Sequence, residues 1–439
     1  MTEPSHTPQN STGDTAPARV QFIPILKSDL ISALSDSGIA HEQLGDFTTL
    51  CAFLGSYFHH DFYDELTELK EIYAWFSPAG PRPQRREPPG AEEAFASLSA
   101  TLVSVMTRAN FVELAADDVT HLGGEHPLLD VKTRTPMEIY ESIRIFVRGT
   151  HTEVVAQKSA LGFKAQDVPL ETFDDVVIFV RFRQKDTAKQ KRSALRRTRN
   201  LPGGAQPGSV LIKSFRNISR LELPMVLPDV QIVMSRKDAF LLGGPALLGG
   251  IPIALNILPA LSVVLVVVGA YLGFAGQVTQ DKLTKAVAAL SVIVGAGLFM
   301  FRQYSNYSFR KLKYQKRIAD NIYFKNVNND AGVFETLIGS AEEQETKEVI
   351  LAYHALLTGG PAHAGELDER IEAWLKANFA RDIDFEVADA LEKLEGLGFL
   401  ASKDGKLAAV PLNDALTRLD TLWDRLYDFK HKPSDSVAA

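Results

Sequence analysis

Residues 239–280 read AFLLGGPALLGGIPIALNILPALSVVLVVVGAYLGFAGQVTQ and contain no Asp, Glu, Lys, Arg or His. A short polar break, DKLTK, separates them from a second apolar run, AVAALSVIVGAGLFMF, at Ala286–Phe301. About 20 apolar residues of helix cross a hydrocarbon layer ~30 Å thick. The two runs therefore predict a two-helix transmembrane hairpin over residues 239–302, with passes at about 251–275 and 284–302. The first run is too long for one straight pass, since at about 1.5 Å per residue it would reach roughly 60 Å. Pro245, Pro252 and Pro259, with Gly243–Gly244 and Gly249–Gly250, argue for a kinked or interfacial lead-in before Ile251. A layout with three passes is the competing reading.

Flanking charge favours two. Arg236 and Lys237 precede the hairpin, and Arg302, Arg310, Lys311, Lys313, Lys316 and Arg317 follow it. Basic residues are retained on the cytoplasmic side, and only an even number of passes puts both flanks there. Tyr304 and Tyr307 suit an interfacial aromatic belt. Neither apolar stretch, 251–275 or 286–301, holds an Asp, Glu, Lys, Arg or His, which argues against an ion or proton path. Gly269–Gly273 and Ser291–Gly295 are small-xxx-small pairs, which serve either homo-oligomerisation or packing of the two passes on each other.

The chain of 439 residues carries a formal net charge of −7, so it is not a polycation built for nucleic acid. A single cysteine, Cys51, excludes an internal disulfide and a cysteine-based zinc cluster. Residues 1–19 are rich in Ser, Thr and Pro, lack an apolar signal region, and read as a disordered tail. Residues 20–136 form a helical region. Ser28 is a candidate cap for a first short helix, Asp46–Phe76 shows apolar spacing near 3.6, and a third helix runs from Ala91 to about Ala109. A Pro-rich stretch, Ser77–Gly90, separates the last two.

Residues 137–238 form a small β-rich region. Ile143–Gln157 reads as a hairpin turning at Gly149, and Phe173–Arg183, Ser209–Phe215 and Val230–Ser235 as further strands of a small antiparallel sheet. Between them, residues 181–199 hold nine Lys or Arg and one acid. Arg192, Arg196, Arg197 and Arg199, with Arg310, Lys311 and Lys313 beyond the hairpin, are candidate contacts for anionic lipid headgroups, at about 1 kcal/mol each. A solvated loop is the alternative. No aromatic residue interleaves with these bases between Gln184 and Asn200, so no nucleic-acid partner is expected.

Residues 303–360 are helical around an Asn-rich corner. Asn326, Asn328, Asn329 and Asp330 are candidate ligand-binding residues, because they concentrate polar acceptors before Gly332. Such side chains also build Asx-turns and caps, which predicts a plain helix–turn–helix corner. Residues 361–439 have a winged-helix-like outline: Glu366–Phe379, a second helix capped by Asp384, then two strands around Asp404–Gly405 and a terminal helix. The second helix carries Asp384, Glu386, Asp389, Glu392 and Glu395 against Lys393 alone, so phosphates would be repelled. His59, His60, Asp61, Asp64 and Glu65 cluster on one helix but supply too few ligands on one face for a metal site. No phosphate-binding glycine loop, nucleophile elbow or zinc motif occurs, so no catalytic residue, cofactor or metal is assigned.

KSFRNISRLELPMVLPDVQIVMSRKDAFLLGGPAL, the hairpin, and KYQKRIADNIYFKNVNNDAGVFETLIGSAEEQETKEVILAYHALL resemble the family called domain of unknown function 3754, which includes the proteins called transmembrane protein 143. FIPILKSDLISAL, HHDFYDELTELKEIYAWF and DIDFEVADALEKLEGLGFL are similar to it as well. Relatives read closer to Leu-Asp-Asn-Asn where this chain has Val327–Asp330. The resemblance implies a two-pass membrane protein and supplies no activity.

The expectation is thus an α+β membrane protein with both termini cytoplasmic, in a bacterial cytoplasmic membrane. It would act as an anchored scaffold or regulator that contacts the lipid bilayer and protein partners, possible homo-oligomers included. A ligand-sensing protein or enzyme built on the Asn-rich corner, and an oligomeric channel or lipid-handling protein, are the alternatives.

Overall fold

The computed structural model describes residues 20–78, 90–115, 125–126, 131–158, 165–184, 201, 204–233, 261–270, 272–273, 279–403 and 405–426. It is an α+β protein whose longer helices among the described residues are α1 Lys27–Ser35, α2 Leu44–Phe76, α3 Ala91–Arg108, α4 Leu261–Ala270, α5 Gln280–Lys325, α6 Ala331–Gly359, α7 Ala364–Phe379, α8 Val387–Gly396 and α9 Leu412–Arg425. The strands are β1 Val112–Glu113, β2 Glu125–His126, β3 Val131–Arg134, β4 Tyr140–Lys158, β5 Ala165–Phe182, β6 Val210–Ser219, β7 Gln231–Val233, β8 Asn326–Asn329, β9 Leu400–Lys403 and β10 Lys406–Ala409.

The main sheet is antiparallel throughout, in the order β1-β4-β5-β6-β8. Side chains alternate across a strand, and here both faces are covered. Phe146, Val177, Phe179, Val210 and Ile212 pack against α2, α3 and the start of α6. Ile145, Val147, Val176, Ile178 and Val180 face the other way, onto Leu201 and the turn Leu223–Leu227. This explains why Val176–Val180 is apolar without interruption: a strand buried on both sides needs no polar face.

The expected hairpin at Gly149 is instead one continuous strand, β4, which pairs along β5 from Tyr140 to Lys158. Gly149 has φ +66 and lies in unbroken register, between the pairs Arg148–Asp175 and Thr150–Phe173; the register shift of this ribbon is at Tyr140–Ser142. The glycine marks a close approach to Asp174 on the partner strand rather than a turn, a role that isolated strand glycines often have. The far half of this ribbon, beyond Thr172, pairs with no third strand among the described residues.

The helical part has a shared core. Ile23, Leu30, Phe47, Leu54 and Phe58 pack with Val349–Leu356 of α6 and with Leu367, Leu375, Leu394, Phe399 and Leu419. Segments at opposite ends of the chain therefore bury one another around α6. The β9–β10 hairpin is antiparallel, and Ala362 bridges to Leu407 beside it. α9 docks through Leu412, Ala415 and Leu419, with Trp423 edge-on to Phe53 at 5.6 Å between ring centroids.

Two expected caps move. α1 starts after Leu26, and Ser28 lies inside its first turn, where its hydroxyl meets Asp29. α8 starts after Glu386, whereas the Asp384 backbone N–H donates to Val20 O at 3.1 Å.

Within α5, Leu283–Phe309 contains an 18-residue window with a mean hydropathy of 1.9 and is long and apolar enough to cross a membrane. Its buried residues are Ala286, Ala289 and Ala296, with Ile293 partly buried between them. The 3-4-3 spacing of that stripe is the spacing of a helix-packing seam. α4 is apolar but has only 10 described residues, and most of the first expected pass and its lead-in lies outside the described residues. Gly269 and Gly273 do not form one helix face, because α4 ends at Ala270 and Gly273 has φ +83.

Candidate ligand site at the foot of the long helix

α5 does not stop at the end of its apolar segment. It continues to Lys325, and the chain then enters the main sheet as β8. The Asn-rich corner is thus an edge strand, not a helix–turn–helix. Lys213 pairs with Asn329, Ser214 with Asn328, and Phe215 with Asn326. Asparagine is a poor strand former, and the pairing is imposed by β6, which offers its free edge where the chain must pass from α5 to α6.

The four candidate residues divide into two pairs. Asn328 donates through Nδ2 to Thr336 Oγ1, and its backbone N–H donates to Ser214 Oγ at 3.1 Å. Asp330 has φ +52, its N–H donates to Ile212 O, and its carboxylate accepts the Tyr73 hydroxyl at 2.8 Å. Burial and this carboxylate together push the Tyr73 hydroxyl well above its ordinary pKa. These two residues are structural fasteners between the sheet, α2 and α6. Asn326 and Asn329 hydrogen-bond each other reciprocally at 3.1 Å and line a cavity.

That cavity has a volume of about 860 Å³ and lies between α5, β6 and the segment Met225–Val230. This is within the range of small-molecule sites. Its walls are mainly apolar, with Met225, Val226, Leu227, Ile322 and Phe324, and its polar groups include Lys213, Asn326 and Asn329. The foot of α5 is clamped beside it by Glu222, which accepts from Lys325 Nζ at 2.7 Å, from the Ser219 N–H at 3.0 Å and from Asn321 Nδ2. Burial alone would raise the pKa of Glu222, but these donors outweigh it and hold the carboxyl below its ordinary range.

A second polar centre lies in α6, where Gln344, Glu345, Thr346, Lys347 and Glu348 are all buried. Glu345 accepts from Arg108 Nε at 2.7 Å and pairs with Lys393 Nζ at 2.9 Å; Glu348 pairs with Lys393 at 2.6 Å. Arg108 also reaches Asp61 and Glu65, and stacks over the Phe62 ring at 3.8 Å. Burial raises the Glu348 carboxyl against the attraction of Lys393. Burial alone would lower Lys393, and its carboxylate neighbours outweigh that. Oxygens of Glu348, Glu386 and Asp389 come within 4.8 Å of one another, but the Lys393 ammonium touches Glu348 and Asp389. An ammonium thus already neutralises two of these three carboxylates. Within the His59–Glu65 cluster, His59 Nδ1 contacts Glu342 at 3.0 Å, and Asp61 and Glu65 pair with Arg108.

Of the candidate lipid contacts, Lys313 is exposed on α5. The side chains of Arg310 and Lys311, and the whole of Arg192, Arg196, Arg197 and Arg199, lie outside the described residues. Sequence reasoning did not find Lys213, the Met225–Leu227 wall or the buried run in α6. The adjacent Tyr323 and Phe324, directly after a strongly basic helical segment, were the available signal for the cavity.

Residues 173–332 match the model of the family described as protein of unknown function (DUF3754). The match runs from β5 to the start of α6 and contains every residue named above as lining the cavity. No solved structure matches the chain.

Proposed function

We propose that the chain is a two-pass protein of the bacterial cytoplasmic membrane, with both large polar regions on the cytoplasmic side, acting as an anchored scaffold or regulator for protein partners. The observation that carries this reading is the continuity of α5, from an apolar segment of membrane-crossing length into β8 and thence α6. Any displacement of the span is transmitted to the helix around which the polar body is packed. The stripe Ala286, Ala289, Ile293 and Ala296, with Val267 buried on α4, supports packing of a second pass on α5. The resemblance to transmembrane protein 143 points the same way.

The helix–helix–hairpin unit around α7, α8, β9 and β10 is winged-helix-like. Its only lysine on α8 is consumed internally by Glu345 and Glu348, which leaves Glu392 and Glu395 exposed. An outward acidic surface favours protein over nucleic acid. Full-length protein extracted in mild detergent should sediment as a defined complex, with a partner protein or a second copy, well above one 48.3 kDa chain with its micelle. A particle holding a single chain, with no partner retained, contradicts the scaffold reading.

A second reading, ligand sensing at the membrane, is favoured by the cavity that faces Asn326 and Asn329.

A further inference from the structure

We propose that the cavity at the foot of α5 binds an anionic phospholipid, with its phosphate at Lys213, Asn326 and Asn329 and an acyl chain along α5 toward the bilayer; this rests on the ligand-sensing reading. Three observations carry it. First, the site has two chemically different ends. Lys213, Asn326 and Asn329 come together through the β6–β8 pairing, where Lys213 lies opposite Asn329. Met225, Val226, Leu227 and Ile322 supply the apolar wall. A wholly polar ligand would leave that wall wet, and a wholly apolar one would bury the lysine unpaired.

Second, charge complementarity asks for an anion. Lys213 is half-buried and has no carboxylate within ion-pairing distance among the described residues. The acid on the lining, Asp229, is exposed at the rim and already engaged with a partner. Lys313, exposed on the same helix between the apolar segment and the cavity, and Lys316, exposed next to its near end, give an approaching phosphate a basic path.

Third, the groove is built on the helix that carries the membrane-length segment. Gln315, at its near end, lies 14 residues past Phe301, the last residue of the apolar run, about 21 Å along a helix. Asn326 lies at the far end. The occupant therefore enters head first, with its tail pointing back to the bilayer. Tyr323 and Phe324 stand exposed on the lining at 75% and 84%, as aromatic side chains at a lipid-facing mouth would.

The test uses the full-length protein in phosphatidylcholine nanodiscs containing a phosphatidic acid analogue with a photoactivatable diazirine on its acyl chain. Irradiation should place adducts on Met225–Leu227 or on Ile322–Phe324. Lys213→Gln should lower them about tenfold, as expected for loss of a charge-assisted phosphate contact. Ile322→Trp, which fills the apolar side of the cavity, should abolish them while adducts on Leu283–Phe309 persist. Excess inorganic phosphate should not compete; competition would assign the site to free phosphate and overturn the lipid claim. Equal labelling by the matching phosphatidylcholine analogue would leave ligand sensing standing and overturn the anionic head. Adducts confined to Leu283–Phe309 would overturn both.

Discussion

Replacing Lys393 by Met should cost about 3–5 kcal/mol of stability, the loss seen when one partner of a buried ion pair is removed. The lysine is the shared cation of Glu345 and Glu348, whose side chains are each only 2% exposed. Arg108 still neutralises Glu345 in the variant, but Glu348 keeps only the amide of Gln344 at 2.8 Å. Glu348 can escape by taking a proton, and burial already biases it that way. The penalty should therefore shrink as pH falls, because protonation removes the uncompensated charge. Adding Glu348→Gln to the Met variant should recover part of the loss at neutral pH. Chemical denaturation of the detergent-solubilised chain checks this. A loss below about 1 kcal/mol, or one independent of pH, would mean that the pair is solvated and marginal.

The second large effect is expected at Gly149. A Cβ there would stand 2.1 Å from Asp174 Oδ2 and 2.7 Å from its Cγ, and the residue has φ +66. Gly149→Ala combines left-handed strain of about 1–2 kcal/mol with displacement of Asp174 from its 2.7 Å contact with His151. The sum should be about 2–3 kcal/mol. Gly149→Ala with Asp174→Ala removes the collision and keeps the strain, so it should retain about half the cost. If the double variant loses as much as the single one, the close approach is not the cause.

Long periodic segments were legible in the residues. The α2 and α3 ranges follow from 3.6-residue spacing, the apolar part of α5 from continuous apolarity, and the β-branched run at Val176–Val180 announced a strand. What could not be read was imposed from a distance. The Asn326–Asn329 stretch has the composition of a turn and becomes a strand only because β6, more than a hundred residues earlier, leaves an edge open. Gly149 has the same local signature as a hairpin turn, and only the partner strand decides that β4 runs straight through it. The run Gln344–Glu348 looks like a solvated helix face. It is buried because Arg108, Lys393 and the Ile23 backbone converge on it from three other segments. Of the candidate site, the amides were visible and Lys213 was not, since nothing local joins residue 213 to residue 329.

The central claim is that α5 crosses the bilayer and the polar body lies on one side of it. Thr279 is the exposed residue before α5, at the opposite end of the helix from β8. Cys51 is buried, and burial pushes its thiol up to about 12, so it should stay silent to maleimide in the folded protein. Thr279→Cys should therefore be labelled by a membrane-impermeant maleimide added to intact spheroplasts, whereas a cysteine at the exposed Lys313 should react only after permeabilisation. Labelling of both positions only after permeabilisation, or of both without it, would contradict the account.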